Sequence, residues 1–261
     1  MNKKKLPLIG IALVILIGGI FAFTKMRGKN ETTTEALEKK KLSLPEVKLE
    51  EAPYVLLEPV DSRNIAIQVK EVKKAASEMD YELEYQAGTL LQGAFGLLSL
   101  DSLPITEKIL LGSCSAGGAC TYHTDVKGGS FLGRFTGGED DYQKKADWKY
   151  IENPKGETAF SSKDGKFQIS SKDLKSEKIL IIFNGFGYPK NLEKTADSSP
   201  YVLATTSKLT GSGELIIRAD SEDATQILGY DGQKWHEFET TKDGKMLTAK
   251  VDLMELYLAV K

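Results

Sequence analysis

Residues 6–23, LPLIGIALVILIGGIFAF, run for eighteen residues without a charge. Such a run must find an apolar environment whatever the rest of the chain does. At about 1.5 Å per residue it makes a helix of roughly 27 Å, close to the roughly 30 Å hydrocarbon core of a bilayer. Lys3, Lys4 and Lys5 before it and Lys25 after it can reach the head groups. The run is longer than the apolar core of a cleaved signal peptide, about 7 to 15 residues, and neither a small-x-small cleavage site nor a lipid-accepting cysteine follows it. Residues 1–24 are therefore expected to form a cytoplasmic tail and a retained single-pass anchor in the lipid bilayer. The flanking charges nearly balance, with Lys3, Lys4 and Lys5 on one side and Lys25, Arg27 and Lys29 on the other. The positive-inside rule thus leans only slightly toward an internal amino terminus.

Residues 25–53 are rich in charge and threonine and poor in large apolar side chains. They bury too little to offset the entropy of ordering them, so a flexible stalk is expected. Asn30-Glu31-Thr32 matches a glycosylation sequon, a three-residue pattern that arises easily by chance.

From Tyr54 the hydrophobic period becomes two. Tyr81, Leu83 and Tyr85 alternate with Glu82 and Glu84, and Ile65, Ile67 and Val69 alternate with Ala66 and Gln68, the pattern of half-buried strands. Residues 90–100, 105–114, 121–123 and 148–151 add strand candidates, while 70–79 reads as a loop or single turn. Gly128-Gly129 and Gly137-Gly138 read as turns. A polar stretch at 152–157, with Pro154 and Gly156, suggests a boundary. The expectation is an all-β chain in which the anchor and stalk lead into two antiparallel β-sandwich domains, 54–152 and 153–261. Asp231-Gly232 and Asp243-Gly244 sit between apolar runs, where glycine can supply the positive φ of tight hairpins, so the carboxyl-terminal strands are expected to form a meander.

The 35 basic and 37 acidic residues are interspersed, for a net charge of −2, and nothing points to nucleic acid. Cys114 and Cys120 enclose SAGGA. Two strands joined by that glycine-rich loop bring the flanking residues face to face, as a disulfide needs, and a bonded pair argues for an oxidising compartment outside the cytoplasmic membrane. The rival is a redox pair, which favours C-x-x-C at a helix amino terminus. With two cysteines, two histidines, no G-x-S-x-G and no H-E-x-x-H, no catalytic residue and no cofactor are assigned. Glu139, Asp140 and Asp141, and likewise Asp220, Glu222 and Asp223, are weak calcium candidates because neither run has an EF-hand loop pattern. Phe186 and Tyr188, in NGFGYP, could stack on a sugar or could instead pin a turn from inside.

Within residues 226–260, Tyr230, Asp231, Gly232, Trp235, Thr240, Thr241, Asp243, Gly244 and Val251 follow an order that resembles the closing strands of ZU5-like β-sandwich modules of surface proteins. Met254 and Glu255 stand where that pattern often has Phe-Ser. Residues 54–151 resemble an immunoglobulin or fibronectin-III sandwich in strand count. The resemblance implies a fold and carries no catalytic residue. The function expected is a non-catalytic binding or structural module of the cell envelope, its partner another envelope protein or a glycan. The alternatives are an accessory subunit of a membrane or secretion complex, and a thiol redox protein.

Overall fold

Alternating side chains in the first half and continuous apolar runs in the second build the same sheet by different means. The computed structural model describes residues 43–261. The expected anchor at 6–23 and most of the expected stalk lie outside the described residues.

The described chain is all-β, with the strands of each sheet paired antiparallel. In order they are β1 (Tyr54–Asp61), β2 (Asn64–Glu71), β3 (Glu78–Ala87), β4 (Leu90–Ser99), β5 (Ile105–Leu110), β6 (Gly112–Cys114), β7 (Cys120–Tyr122), β8 (Val126–Thr136), β9 (Tyr142–Glu152) and β10 (Ala159–Ser161). There follow β11 (Phe167–Ser170), β12 (Ile179–Asn184), β13 (Tyr201–Thr205), β14 (Ser212–Arg218), β15 (Gln226–Tyr230), β16 (Trp235–Phe238), β17 (Thr240–Asp243), β18 (Met246–Asp252) and β19 (Leu256–Val260). The described helical turns are short 3-10 segments, Leu49–Glu51 and Lys172–Ser176. No helix among the described residues is long and apolar enough to cross a membrane.

Nine strands form the central sheet, in the order β16-β15-β19-β13-β12-β9-β8-β3-β4. A three-stranded sheet, β1-β2-β5, packs on one face, and a five-stranded sheet, β10-β11-β14-β18-β17, packs on the other. The result is sandwich-like layering with two cores. Strand β12 shows why its run has no polar member: Ile179, Ile181 and Phe183 enter the first core, and Leu180 and Ile182 enter the second. In β19, Leu256, Leu258 and Val260 face the first core while Tyr257 and Ala259 face the second. Covered on both sides, such strands are apolar throughout. In β3 the period of two survives because only Met79, Tyr81, Leu83 and Tyr85 are covered.

The structure corrects several expectations. Strand β9 pairs with β12 from Ile179 opposite Glu152 to Phe183 opposite Trp148. The two segments 54–152 and 153–261 therefore share one sheet rather than closing as separate sandwiches, and Leu44–Lys261 form one compact unit. The last ten residues of the expected stalk belong to that unit. Gln143 N donates to Pro45 O at 3.0 Å, Val47 N donates to Gln143 O at 3.1 Å, and Val47 and Ala52 are buried. This segment bridges β9 at Gln143, beyond the residues that β12 reaches. Gly128-Gly129 lies inside β8 rather than in a turn. Gly128 has φ +85° beside a register shift, and a Cβ on Gly129 would stand 2.2 Å from Glu84 O. The carboxyl-terminal strands are not one meander, since β17 and β18 lie in the five-stranded sheet before β19 returns to the central one.

Candidate functional site

The central sheet ends at β4, with no described strand beyond it. Strands β3 and β4 are joined by two residues, with Gly88 at φ +56° supplying the left-handed position, and pair in register from Ala87 opposite Leu90 to Glu78 opposite Ser99. Among the described residues no strand lies beyond β4. Its sequence, LLQGAFGLLS, has neither charge nor proline. Leu91, Phe95 and Leu97 point away from the core and are 66%, 83% and 61% exposed, and Leu90 at the hairpin end is exposed as well. Ten residues whose outward edge no described strand pairs, with mostly apolar side chains, form a template for another strand, which proteins normally suppress.

Every other edge of the three larger sheets is suppressed among the described strands. At the far side of the same sheet, β16 has four residues and carries His236 and Glu237. The edges of the three-stranded sheet are β1, with Glu58, Pro59 and Asp61, and β5, with Glu107 and Lys108. Those of the five-stranded sheet are β10, three residues long, and β17, four residues with Lys242 and Asp243. Only β4 lacks every one of these devices.

Behind the apolar edge the outer face is charged in rows. Leu97 stands opposite Asp80 and then Arg134, and Phe95 opposite Glu82 and then Leu132. Both terminal nitrogens of Arg134 donate to Glu82 Oε1 at 3.0 Å, and Ser130 Oγ donates to Glu84 Oε2 at 3.0 Å. On the inner face the Tyr81 ring occupies the space above Gly96, where a Cβ would meet its hydroxyl at 2.7 Å. The edge is thus packed from within while its outer side stays open.

The residues singled out from sequence fall elsewhere. Cys114 and Cys120 face each other across β6 and β7, with Sγ–Sγ 2.03 Å and Cα–Cα 4.0 Å. Ser115 N donates to Ala119 O, Gly118 N donates to Ser115 O, and Gly118 takes φ +83°, so the five-residue loop contains a tight turn closed by a left-handed glycine. Phe186 is fully buried against Phe131, at 4.7 Å between ring centroids, and against Phe135 and Phe183. Tyr188 is buried beneath the Lys73 ammonium, 3.6 Å from the ring centroid. Neither ring is open to stack on a sugar, which corrects their reading as ligand contacts. Asp140 pairs with Lys74 at 3.4 Å, Asp141 Oδ1 accepts from Gly137 N at 3.2 Å, and Glu139 sits exposed beside them. Asp220 pairs with Lys166 at 3.2 Å, the Glu222 carbonyl accepts from Lys242 Nζ, and Asp223 N donates to Ser221 Oγ. No group of three or more His, Cys, Asp or Glu side chains among the described residues is placed to hold a metal ion. His123 Nδ1 lies 2.9 Å from the Tyr85 hydroxyl, and His236 Nε2 lies 2.7 Å from Asp231 Oδ2.

Shifted ionisations occur across the molecule, and one group of them lies at a cleft lined by Glu58, Asp231 and Glu255, where burial raises Glu58 and the Tyr54 hydroxyl donates to Glu255. Burial raises the hydroxyls of Tyr54, Tyr142, Tyr201 and Tyr257, and pushes Tyr150 up to about 12. These are core phenols kept neutral. Burial lowers Lys73 to about 8, and hydrogen bonds from the Lys234 backbone and His236 hold Asp231 below the usual carboxylate range. Lys73 with Tyr188 and the cluster around Asp231 lie at different places in the fold, and no group of three or more His, Cys, Asp or Glu among the described residues is placed at either to hold a metal ion. No family model, no curated protein and no solved structure matches this chain.

The sequence did contain one signal for the edge. Residues 90–99 lack charge, as a doubly covered strand does, but place Gly93 and Gly96 where such a strand would carry bulk.

Proposed function

We propose that this chain is a membrane-anchored, extracytoplasmic, non-catalytic module of the cell envelope that binds another protein by accepting a β-strand along β4. The observation that carries this reading is the edge itself, ten uncharged residues with Leu91, Phe95 and Leu97 exposed on a sheet whose other edge is short and charged. Strand addition gives affinity through main-chain hydrogen bonds and specificity through alternate side chains, and β4 offers both. Residues 6–23 supply the anchor, and the Cys114–Cys120 pair suits an oxidising compartment. A protein partner is favoured over a glycan because Phe186 and Tyr188 are buried, while Phe95, the more exposed of the exposed aromatics Phe95 and Tyr122, stands between Gly93 and Leu97 on its own strand. A redox role has less support, since the cysteines close a hairpin rather than sit at a helix amino terminus.

Hydrogen exchange tests the reading whatever the partner is. In isolated native membranes the β4 amides should exchange more slowly than in the purified full chain diluted in detergent, and Phe95→Lys should abolish the difference. Equal exchange in the two settings would overturn it.

A further inference from the structure

The sequence of β4 is complementary to itself when reversed. Written from Leu90 to Leu98 it is L-L-Q-G-A-F-G-L-L. An antiparallel copy centred on Ala94 sets Leu90 against Leu98, Leu91 against Leu97, Gln92 against Gly96, and Gly93 against Phe95. We infer that the strand accepted by β4 is β4 of a second copy, paired antiparallel about Ala94, so that two central sheets join edge to edge around a twofold axis. This inference rests on the reading of β4 as a strand-accepting edge and names its occupant.

Three observations favour a second copy. First, the outer-face pairs are large against large at the ends and large against small near the centre. Each Phe95, 83% exposed in the isolated chain, lies over Gly93 of the other copy, where the missing side chain leaves room for a ring. An aromatic placed across from a strand glycine is a recognised way to protect it. A twofold contact makes every such pair occur twice.

Second, no charge is placed opposite its own kind. Pairing of identical strands sets like charges together wherever the strand carries them, and β4 carries none. The nearest charges in the sheet are Glu78, Asp80, Glu82 and Glu84 on β3. The two β3 strands would stand three strand spacings apart, roughly 14 Å. That exceeds the Debye length of about 8 Å at physiological ionic strength and falls well inside the roughly 30 Å at 0.01 M. Association should therefore weaken as salt is removed, opposite to an interface held by ion pairs.

Third, side-chain size distinguishes this register from its neighbour. Shifting the centre by one residue, to Phe95, would stack two Phe95 rings directly and set Leu91 against Ser99 and Leu97 against Gly93, leaving each leucine without an apolar counterpart.

Nine residues a side is a small contact, so pairing is weak in dilute solution and depends on both copies being held at one membrane surface, where tethering raises their effective concentration.

The test is register-specific cross-linking of the full chain in phosphatidylcholine vesicles under mild oxidation, read as dimer on a non-reducing gel. The native cysteines are already joined to each other, so an added cysteine is the only free thiol. Chains carrying Leu91→Cys mixed with chains carrying Leu97→Cys should cross-link, and either variant alone should give at least tenfold less dimer. Ala94→Cys, which keeps both leucines, should cross-link alone, and adding Phe95→Lys should cut its yield at least tenfold. Circular dichroism matching the unmodified chain verifies folding of each variant. Absence of dimer from both the mixture and Ala94→Cys would overturn the inference, as would equal yields from the mixture and from Leu91→Cys alone. If β4 is protected from exchange in native membranes while cross-linking fails, the occupant is another protein: the self-pairing falls and the binding module stands. If β4 is unprotected as well, both fall.

Discussion

Lys73 is a cation kept where burial opposes it. Its ammonium lies over the Tyr188 ring, and burial, reinforced by Lys190 and opposed by Glu71 and Glu50, lowers it to about 8 from an ordinary value of 10.5. Below about pH 8 the folded chain bears the full cost of holding the charge. Between about 8 and 10.5 the unfolded chain binds more protons than the folded one, so this group's contribution to stability rises with pH and is complete above the upper value. Lys73→Met should therefore be more stable than the parent at pH 7, with the gap narrowing as pH climbs toward 10, as measured by urea midpoints of the pair at matched pH. A gap that does not change with pH would show that Lys73 does not titrate in that range. A second test lies on the same loop as Tyr188. A Cβ on Gly187 would meet Ala52 O at 2.5 Å and Pro53 O at 2.9 Å, both backbone, so Gly187→Ala should cost about 1 to 3 kcal/mol in a denaturant melt. It should also expose residues 44–53 to protease. The sequence NGFGYP shows two aromatics in a loop but not which way they point. That is decided by Phe131 and Phe135 on β8 and Phe183 on β12, which reach Phe186 from two different strands.

At the scale of elements, the β6–β7 hairpin and β4 differ in how far they could be read in advance. The hairpin is local: Cys114 and Cys120 are six positions apart, and spacing and composition suffice to expect two strands facing each other. Its closure constrains only a small ring, for which chain entropy gives about 2 kcal/mol. Replacing both cysteines by serine should lower stability by about that amount or less and leave the circular dichroism spectrum intact. A loss of folding would mean the hairpin does more than close its own tip. Strand β3 was equally legible, because one covered face leaves a clean alternation of tyrosine or leucine with glutamate. The edge position of β4 was legible only through Gly93 and Gly96. An uncharged strand looks the same whether neighbours cover it or solvent does, and which strand ends a sheet depends on pairings such as β3 with β8, distant along the chain. The segment at 44–53 was misread for a similar reason. Its few apolar residues, Val47 and Ala52 among them, are enough because Gln143 of β9 takes its backbone beside Val47 and Gly187 lies against the Ala52 carbonyl.

For the whole molecule, the all-β class and most strand positions follow from local pattern, whereas the division into units follows from pairing across the polar stretch at 152–157. That stretch has the composition of a linker, and the chain does turn there. Yet β9 before it and β12 after it are neighbours in the sheet. The first core is built from both sides of the turn, with Tyr54, Leu83 and Trp148 from one and Ile181, Phe183 and Leu258 from the other. Cutting there would strip β9 of one of its two neighbours, β12, and leave Ile181 and Phe183 without the first-half residues they pack with. The fold should therefore behave as one cooperative unit. In calorimetry the full chain should show a single unfolding transition for this region, and fragments 54–152 and 153–261, made separately, should each lack a cooperative melt. Mixing the two fragments should restore β-type circular dichroism if the shared sheet is what holds them, because the β9–β12 ladder and the first core can then re-form between chains. Independent melting of either fragment would mean that the sheet is continuous in geometry but divided in energy. The turn at 152–157 would then be a true domain boundary.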